Sequence, residues 1–283
     1  MKYTNAVSFR QALDQHINRM HAEHGLSHTR IRKLIVFDRF LARLLAASPK
    51  GWVLKGGVAL TLRWGHQART TKDLDIGRLD NEEAATEHLI AAGTMDLDDF
   101  FTFAVERIAR LDALRDGAAV RYHVAAQLAG RRFDDVTVDV GFSSVMAPEP
   151  DIVPGTELLA FAGIDRLEIP TIALEQHVAE KVHAYTRSYE SGGSTRVKDL
   201  VDLVLTEQFD TPRAGRLMKA LKSTFETRGA HAVPAVLPPP PSDWLVAYRY
   251  LAADVGLPAD GNNVLNDAHA RAASFLQPVL DGT

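Results

Sequence analysis

Apolar positions recur at helical spacing near the start of the chain, and the period then shortens to two. Ile31, Leu34, Ile35, Leu41, Leu44 and Leu45 mark a helix over 30–47. Upstream, Ser8 and Gln11 have capping-box spacing, which predicts a helix from Ser8 to about Glu23, stopped near Gly25. Trp52–Leu54 is a short apolar strand end leading into Gly56-Gly57, and Val58–Arg63 starts a helix. Asp73-Leu74-Asp75-Ile76 alternates acid with hydrocarbon, the pattern of a strand with one buried face. A helix is predicted over Asn81–Ala92 and strands over Phe100–Ile108, Ala119–Leu128 and Val136–Phe142. The last two strands join through Gly130 and Arg131-Arg132, with Asp134 and Asp135 in the turn region. Pro148, Pro150, Pro154 and Gly155 read as a loop, and Leu158–Phe161 and Leu167–Ile169 as short strands.

Helical spacing returns after Pro170. Thr171 is placed to cap a helix running to about Arg187, and Ser188–Thr195 reads as a loop. Further helices follow over Arg196–Glu207, Pro212–Glu226, Trp244–Ala253 and Val264–Leu280, with Pro238–Pro241 as a stiff extended spacer. The pattern implies an α/β (α+β) core with a mixed sheet, followed by an α-helical half. The expected division is basic helices over 1–50, a core over 51–169 and a helical domain over 170–283.

The chemistry concentrates in the stretch Lys55–Gly77. Gly56 and Gly57 lack a Cβ, so their backbone N–H groups can approach a phosphate closely, at the start of a helix that favours an anion. Asp73 and Asp75 lie two apart on a strand and share a face. Two adjacent carboxylates repel unless cations neutralise them, and Mg²⁺ ions bridging a triphosphate would do so. Asp139, inside Asp135–Gly141, sits in a second alternating run and is the candidate third carboxylate. A second Asp-x-Asp, at Asp96 and Asp98, has no glycine turn upstream and reads with Asp99 as a solvated loop. In this order the glycine pair, the paired aspartates and Asp139 resemble the polymerase β type of nucleotidyltransferase.

Composition narrows the picture. The chain has 283 residues, 46% hydrophobic and 24% charged, which is ordinary for a globular protein. It has no cysteine, which excludes disulfides, thiolate metal sites and a thiol nucleophile. With no signal-peptide core and no apolar run long enough for a bilayer, a cytoplasmic location without membrane contact is expected. Net charge is −4, but residues 1–50 carry nine Lys or Arg against Asp14, Glu23 and Asp38. Such a basic end suits a nucleic-acid acceptor; it also suits a solvated helix face.

A second set of motifs lies in the helical half. Ile169-Pro170 precedes a helix carrying Glu180-Lys181, and the next helix carries Lys198-Asp199-Leu200-Val201-Asp202. With the glycine pair and Asp73-Leu74-Asp75, these resemble the AbiEii/AbiGii-type nucleotidyltransferase toxins, the group that includes the MenT toxins. The resemblance covers roughly Trp52 to Leu205. It implies an enzyme that transfers a nucleoside monophosphate from an NTP to a hydroxyl at the 3′ end of tRNA, releasing pyrophosphate. It also implies Mg²⁺, a separately encoded antitoxin and a block on aminoacylation and growth.

On that reading Asp73, Asp75 and Asp139 hold the metal, and Asp139 helps deprotonate the attacking hydroxyl. Gly56 and Gly57 cradle phosphates, with Arg69 and Thr71 beside the carboxylate strand as further nucleotide contacts. Lys181 meets the triphosphate as a point charge. Asp199 and Asp202, three apart on one helix, either orient Lys181 or touch the nucleotide. Two rivals stay open: transfer to a small hydroxylated molecule such as an aminoglycoside, and a catalytically inactive relative that binds or regulates.

Overall fold

A computed structural model describes residues 1–78, 80–110, 119–142, 149–187 and 196–283. The chain forms two compact units. The first comprises Met1–Arg63, Thr70–Met146 and Pro150–Thr171, and the second Trp64–Arg69, Ala147–Glu149 and Ile172–Thr283.

The first unit opens with α1 (Ala6–His24) and α2 (His28–Ala47). The cap of α1 is Asn5, whose Oδ1 accepts from the Ser8 amide, so Ser8 lies within the first turn instead of before it. Gly25, at φ 69°, returns its N–H to His21 O and ends the helix. Next come β1 (Val53–Lys55), α3 (Gly56–Trp64), β2 (Asp73–Arg78) and α4 (Glu82–Thr94). The glycine pair is the first turn of α3 itself; no separate turn precedes the helix. Five further strands complete the unit: β3 (Phe101–Arg110), β4 (Ala119–Leu128), β5 (Arg131–Phe142), β6 (Asp151–Pro154) and β7 (Glu168–Thr171).

All seven strands form one sheet in the order β3-β4-β5-β2-β1-β7-β6. The sheet is mixed: β2 runs parallel to β5 and β1 to β7, while the remaining neighbours are antiparallel. Its alternation follows the period-two pattern. Leu74, Ile76, Val120, Tyr122, Val124, Val136, Val138 and Val140 are buried, whereas Asp73, Asp75, Arg121, His123 and Asp139 are not. Helix α2 packs on α4 and β5, and α4 packs on β3.

Several expectations over this unit change. The β4–β5 turn is only Ala129-Gly130, with both residues at positive φ as a tight hairpin turn requires. Asp134 and Asp135 therefore belong to β5, paired with Ala126 and Ala125, and not to a turn. Residues 151–154, expected as loop, form β6, an edge strand on which Pro154 is tolerated. Leu158–Phe161 is not a strand, since Ala160–Ala162 forms a 3-10 turn. Thr171 does not cap a helix: it ends β7, fully buried, and its hydroxyl donates to Ile169 O. Asp96 and Asp98 are exposed as expected, but Asp99 is buried against Arg43 and Arg39. Pro148 and the loop expected over Ser188–Thr195 lie outside the described residues.

The basic N-terminal stretch is largely committed to this unit. Arg30, Arg39 and Arg43 are buried, and Arg10 donates to Leu128 O. Arg32 bonds Asp14 and Phe133 O, and Lys33 bonds Asp135 O. Lys2, Arg19 and Lys50 are the exposed cations among these first fifty residues.

The second unit is helical: α5 (Leu174–Thr186), α6 (Val197–Phe209), α7 (Ala214–Arg228), α8 (Leu245–Asp254) and α9 (Val264–Leu280). Helix α6 is buried along almost its whole length and packs against α5, α8 and α9. The proline spacer is tied down, because Tyr185 donates to Pro238 O. No helix among the described residues is long and apolar enough to cross a membrane.

Candidate active site

The polar face of the first unit is organised by strand register. Asp75 lies opposite Asp139 across the parallel β2–β5 pair, and Asp73 lies opposite Thr137. Arg121 faces Asp139 from β4, and Lys55 faces Asp75 from β1. Cross-strand partners project to the same side of a sheet. Lys55, Asp75, Asp139 and Arg121 thus stand abreast on four adjacent strands, with two carboxylates between two cations.

A β-bulge makes this row possible. At the turn end of the hairpin Gln127 pairs with Arg132, but the next pair is Ala126 with Asp134, leaving Phe133 as the extra residue. Phe133 is buried, with its ring edge-on to Phe101 at 5.3 Å. The shift of one residue sets Arg121 opposite Asp139; without it Arg121 would face Val138, whose side chain is on the core side.

Arg121 grips Asp139 with a planar fork. Nε donates to Oδ1 and Nη2 to Oδ2, both at 2.7 Å. The guanidinium pKa is raised chiefly by these hydrogen bonds and by the Asp139 charge, with Asp73 and Asp75 adding to it. Arg121 therefore feels all three acids of the face.

The glycine pair is required by contact as well as by conformation. Gly56 has φ 62°, and a Cβ there would stand 1.9 Å from Asp75 Oδ2. At Gly57 a Cβ would meet Thr71 Cβ at 2.8 Å. Thr71 in turn donates its hydroxyl to Asp73 O at 3.3 Å. Gly56, Gly57, Thr71, Asp73, Asp75 and Asp139 are thus assembled in one unit, with Asp75 seated on the bare Cα of Gly56.

Arg69, Lys181, Asp199 and Asp202 belong to the second unit and form a buried cluster of their own. Lys181 Nζ lies 2.6 Å from Asp202 Oδ2 and 3.6 Å from Asp199 Oδ1. Arg69 Nε reaches both Asp202 oxygens, at 3.0 and 3.2 Å. Asp202 is wholly buried; burial opposes its charge, but Arg69 and Lys181 outweigh that and hold its carboxyl below the usual range. Asp202 thus holds the Lys181 ammonium more closely than Asp199 does. Asp199 Oδ2 is buried without a hydrogen-bond partner among the described residues, with Arg196 Nη1 3.6 Å away.

The donors of Asp73, Asp75 and Asp139 are all hard carboxylate oxygens, the set that suits Mg²⁺. Asp139 has both oxygens on Arg121, and among the described residues no group of three or more His, Cys, Asp or Glu is arranged to hold a metal ion. Donor chemistry and the shared face are those that Mg²⁺ favours, but the three carboxylates are not gathered around one cation position, and Arg121 holds Asp139. Arg121 and Lys55 were not among the sequence-derived candidates. The signal for Lys55 is its place at the end of β1, immediately before Gly56; the signal for Arg121 depends on the bulge.

Comparison with known proteins adds identity to this geometry. No curated protein matches the chain in sequence. Among solved structures it is similar to MenT4, a nucleotidyltransferase toxin from Mycobacterium tuberculosis H37Rv, with TM-score 0.59 and 18% identity over 96% of this chain and 89% of that one. It also matches JHP933 from Helicobacter pylori, at TM-score 0.48 and 17% identity over 91% and 94% of the two chains. The first likeness establishes a nucleotidyltransferase-like fold, with its seven-stranded mixed sheet and C-terminal helices. A family model described as nucleotidyl transferase AbiEii toxin, type IV toxin–antitoxin system, matches residues 39–271, and the chain belongs to that family.

Proposed function

We propose that this protein transfers a nucleoside monophosphate from an NTP to a hydroxyl at the 3′ end of tRNA, releases pyrophosphate, and does so with Mg²⁺. The observation that carries the reading is the register of Asp75 with Asp139, with Asp73 on the same face. Asp73 and Asp75 would hold the metal, and Asp139 would share it. Bound Mg²⁺ supplies neutralisation of the phosphate charge and polarises the transferred phosphoryl group.

The chain's own groups supply the rest. Asp139, once released by Arg121, would accept the proton of the attacking hydroxyl at a carboxylate oxygen. The N–H groups of Gly56 and Gly57, at the first turn of α3, would face the phosphate oxygens of a bound NTP. Thr71, bonded to the Asp73 carbonyl, orders the approach to the strand. In the second unit Lys181 is assigned to the triphosphate charge, with Asp202 fixing its ammonium and Arg69 completing the ion cluster. Positioning and charge, not covalent chemistry, are what such a site contributes.

The tRNA acceptor and a cognate antitoxin rest on the family. Residues 1–50 lend the acceptor little support, since most of their cations are bonded within the first unit. The deciding experiment incubates the full chain with total tRNA, Mg²⁺ and each α-³²P-labelled NTP in turn. Label on tRNA with the native protein but not with Asp75→Asn is the expected result. Label reaching only a small hydroxylated acceptor would replace tRNA in the reading, and transfer undiminished in Asp75→Asn would overturn the site.

A further inference from the structure

We infer that Arg121 is a positioning residue that occupies Asp139 as an exchangeable counter-ion, and that a divalent cation must displace it to bind the carboxylate face. The inference rests on the metal-binding reading of Asp73, Asp75 and Asp139 proposed above.

Geometry makes the two occupants compete. The fork of Arg121 covers both oxygens of Asp139 at 2.7 Å, the same oxygens a cation would need. Arg121 closes on one side the row in which Asp75 and Asp139, two of the residues that would hold a metal, stand. The guanidinium also offsets the repulsion among acids that share one face, since its fork holds Asp139 directly beside Asp75. One organic cation thus offsets the same charge that a bound inorganic one would offset.

Exposure makes the exchange feasible. The Arg121 side chain is 39% exposed and Asp139 is 17% exposed, so the guanidinium can move into water without opening the core. Its position is not accidental packing: the Phe133 bulge is what brings it opposite Asp139. No other cation is hydrogen-bonded to Asp139 among the described residues, so removing Arg121 leaves the three acids under-neutralised on that flank.

The test is direct titration of the full chain with Mn²⁺, followed by electron paramagnetic resonance, without nucleotide and at fixed pH and salt. Arg121→Gln is expected to bind Mn²⁺ about tenfold more tightly than the native protein, the size of effect that a paired arginine has on a carboxylate's affinity for a proton. Arg121→Lys, which keeps a charge but loses the fork, is expected between the two. Adding Asp139→Asn to Arg121→Gln should remove the gain. Equal or weaker Mn²⁺ binding by both Arg121 variants, with native binding intact, would overturn the exchange and leave the metal site standing. No Mn²⁺ binding by any variant, with or without NTP, would overturn the metal reading of the carboxylates as well. Circular dichroism shows whether each variant is folded, and Arg121→Lys carries the test if Arg121→Gln is not.

Discussion

Two arginine–aspartate forks in the first unit use the same chemistry at opposite depths. Arg43 on α2 holds Asp99 with two N–H groups, at 2.6 and 2.9 Å, and also bonds Met95 O and Phe101 O. Its side chain is 0% exposed and that of Asp99 2%. Asp38 and Arg39 complete that network; burial, the largest influence, pushes the Asp38 carboxyl up. Arg121 and Asp139 make an equally well-formed fork at the edge of solvent. Geometry alone does not separate a structural pair from an exchangeable one; the cost of uncovering its charges does.

The largest expected effect comes from breaking the buried fork. Arg43→Gln leaves Asp99 in the core with Arg39 Nη1 at 3.4 Å as its remaining charged partner, and takes the guanidinium donors from three backbone carbonyls, those of Arg39, Met95 and Phe101. A loss of about 3–5 kcal/mol is expected, the range for removing one partner of a buried pair. Urea denaturation followed by circular dichroism would read it as a large fall in midpoint. A loss below about 1 kcal/mol, typical of a surface pair, would erase the distinction.

The Asp202 cluster is buried like the first fork yet sits among the residues assigned to the reaction, so it tests whether depth and function exclude each other. Asp202→Asn leaves Lys181 and Arg69 facing an amide oxygen, which still accepts, so a loss of about 3 kcal/mol is expected, at the low end for buried pairs. Its pH signature is distinct. The folded carboxyl is held below its unfolded value, so the stability it adds is complete above about pH 4 and is lost as pH falls through the lower folded value. Acid titration of stability should therefore be shallower in Asp202→Asn than in the native chain. An equal acid limb in both would show that the carboxylate is not held low.

These contrasts also explain what the sequence could and could not reveal. The shared face of Asp73 and Asp75, and the place of Asp139 inside a strand, follow from strict alternation, which local sequence carries. The helix over Val264–Leu280 was legible for the same reason, being a long run with one period. What escaped depends on long-range choices. The Phe133 bulge is set by a ring packing on β3, and it alone decides whether Arg121 meets Asp139 or the core. Asp99 reads as one more acid in a polar stretch, because its partner Arg43 lies 56 residues earlier in the chain. Asp134 and Asp135 look like turn residues until the positive φ values of Ala129 and Gly130 place the turn upstream.

The smallest effect completes the comparison. Arg121→Gln makes the same chemical change as Arg43→Gln, in a fork of similar geometry, but where water can solvate the acid left behind. It should alter stability by only about 0–1 kcal/mol, as exposed ion pairs do. The sign itself is informative. Arg121 neutralises a face holding three carboxylates, so its loss should destabilise slightly at low salt, and screening should shrink the difference as salt is raised. Urea midpoints of the native and variant chains at low and high salt, without metal, would measure both. A loss as large as that of Arg43→Gln would make Arg121 part of the scaffold; a small, salt-sensitive one would leave it free to yield its carboxylate to another cation.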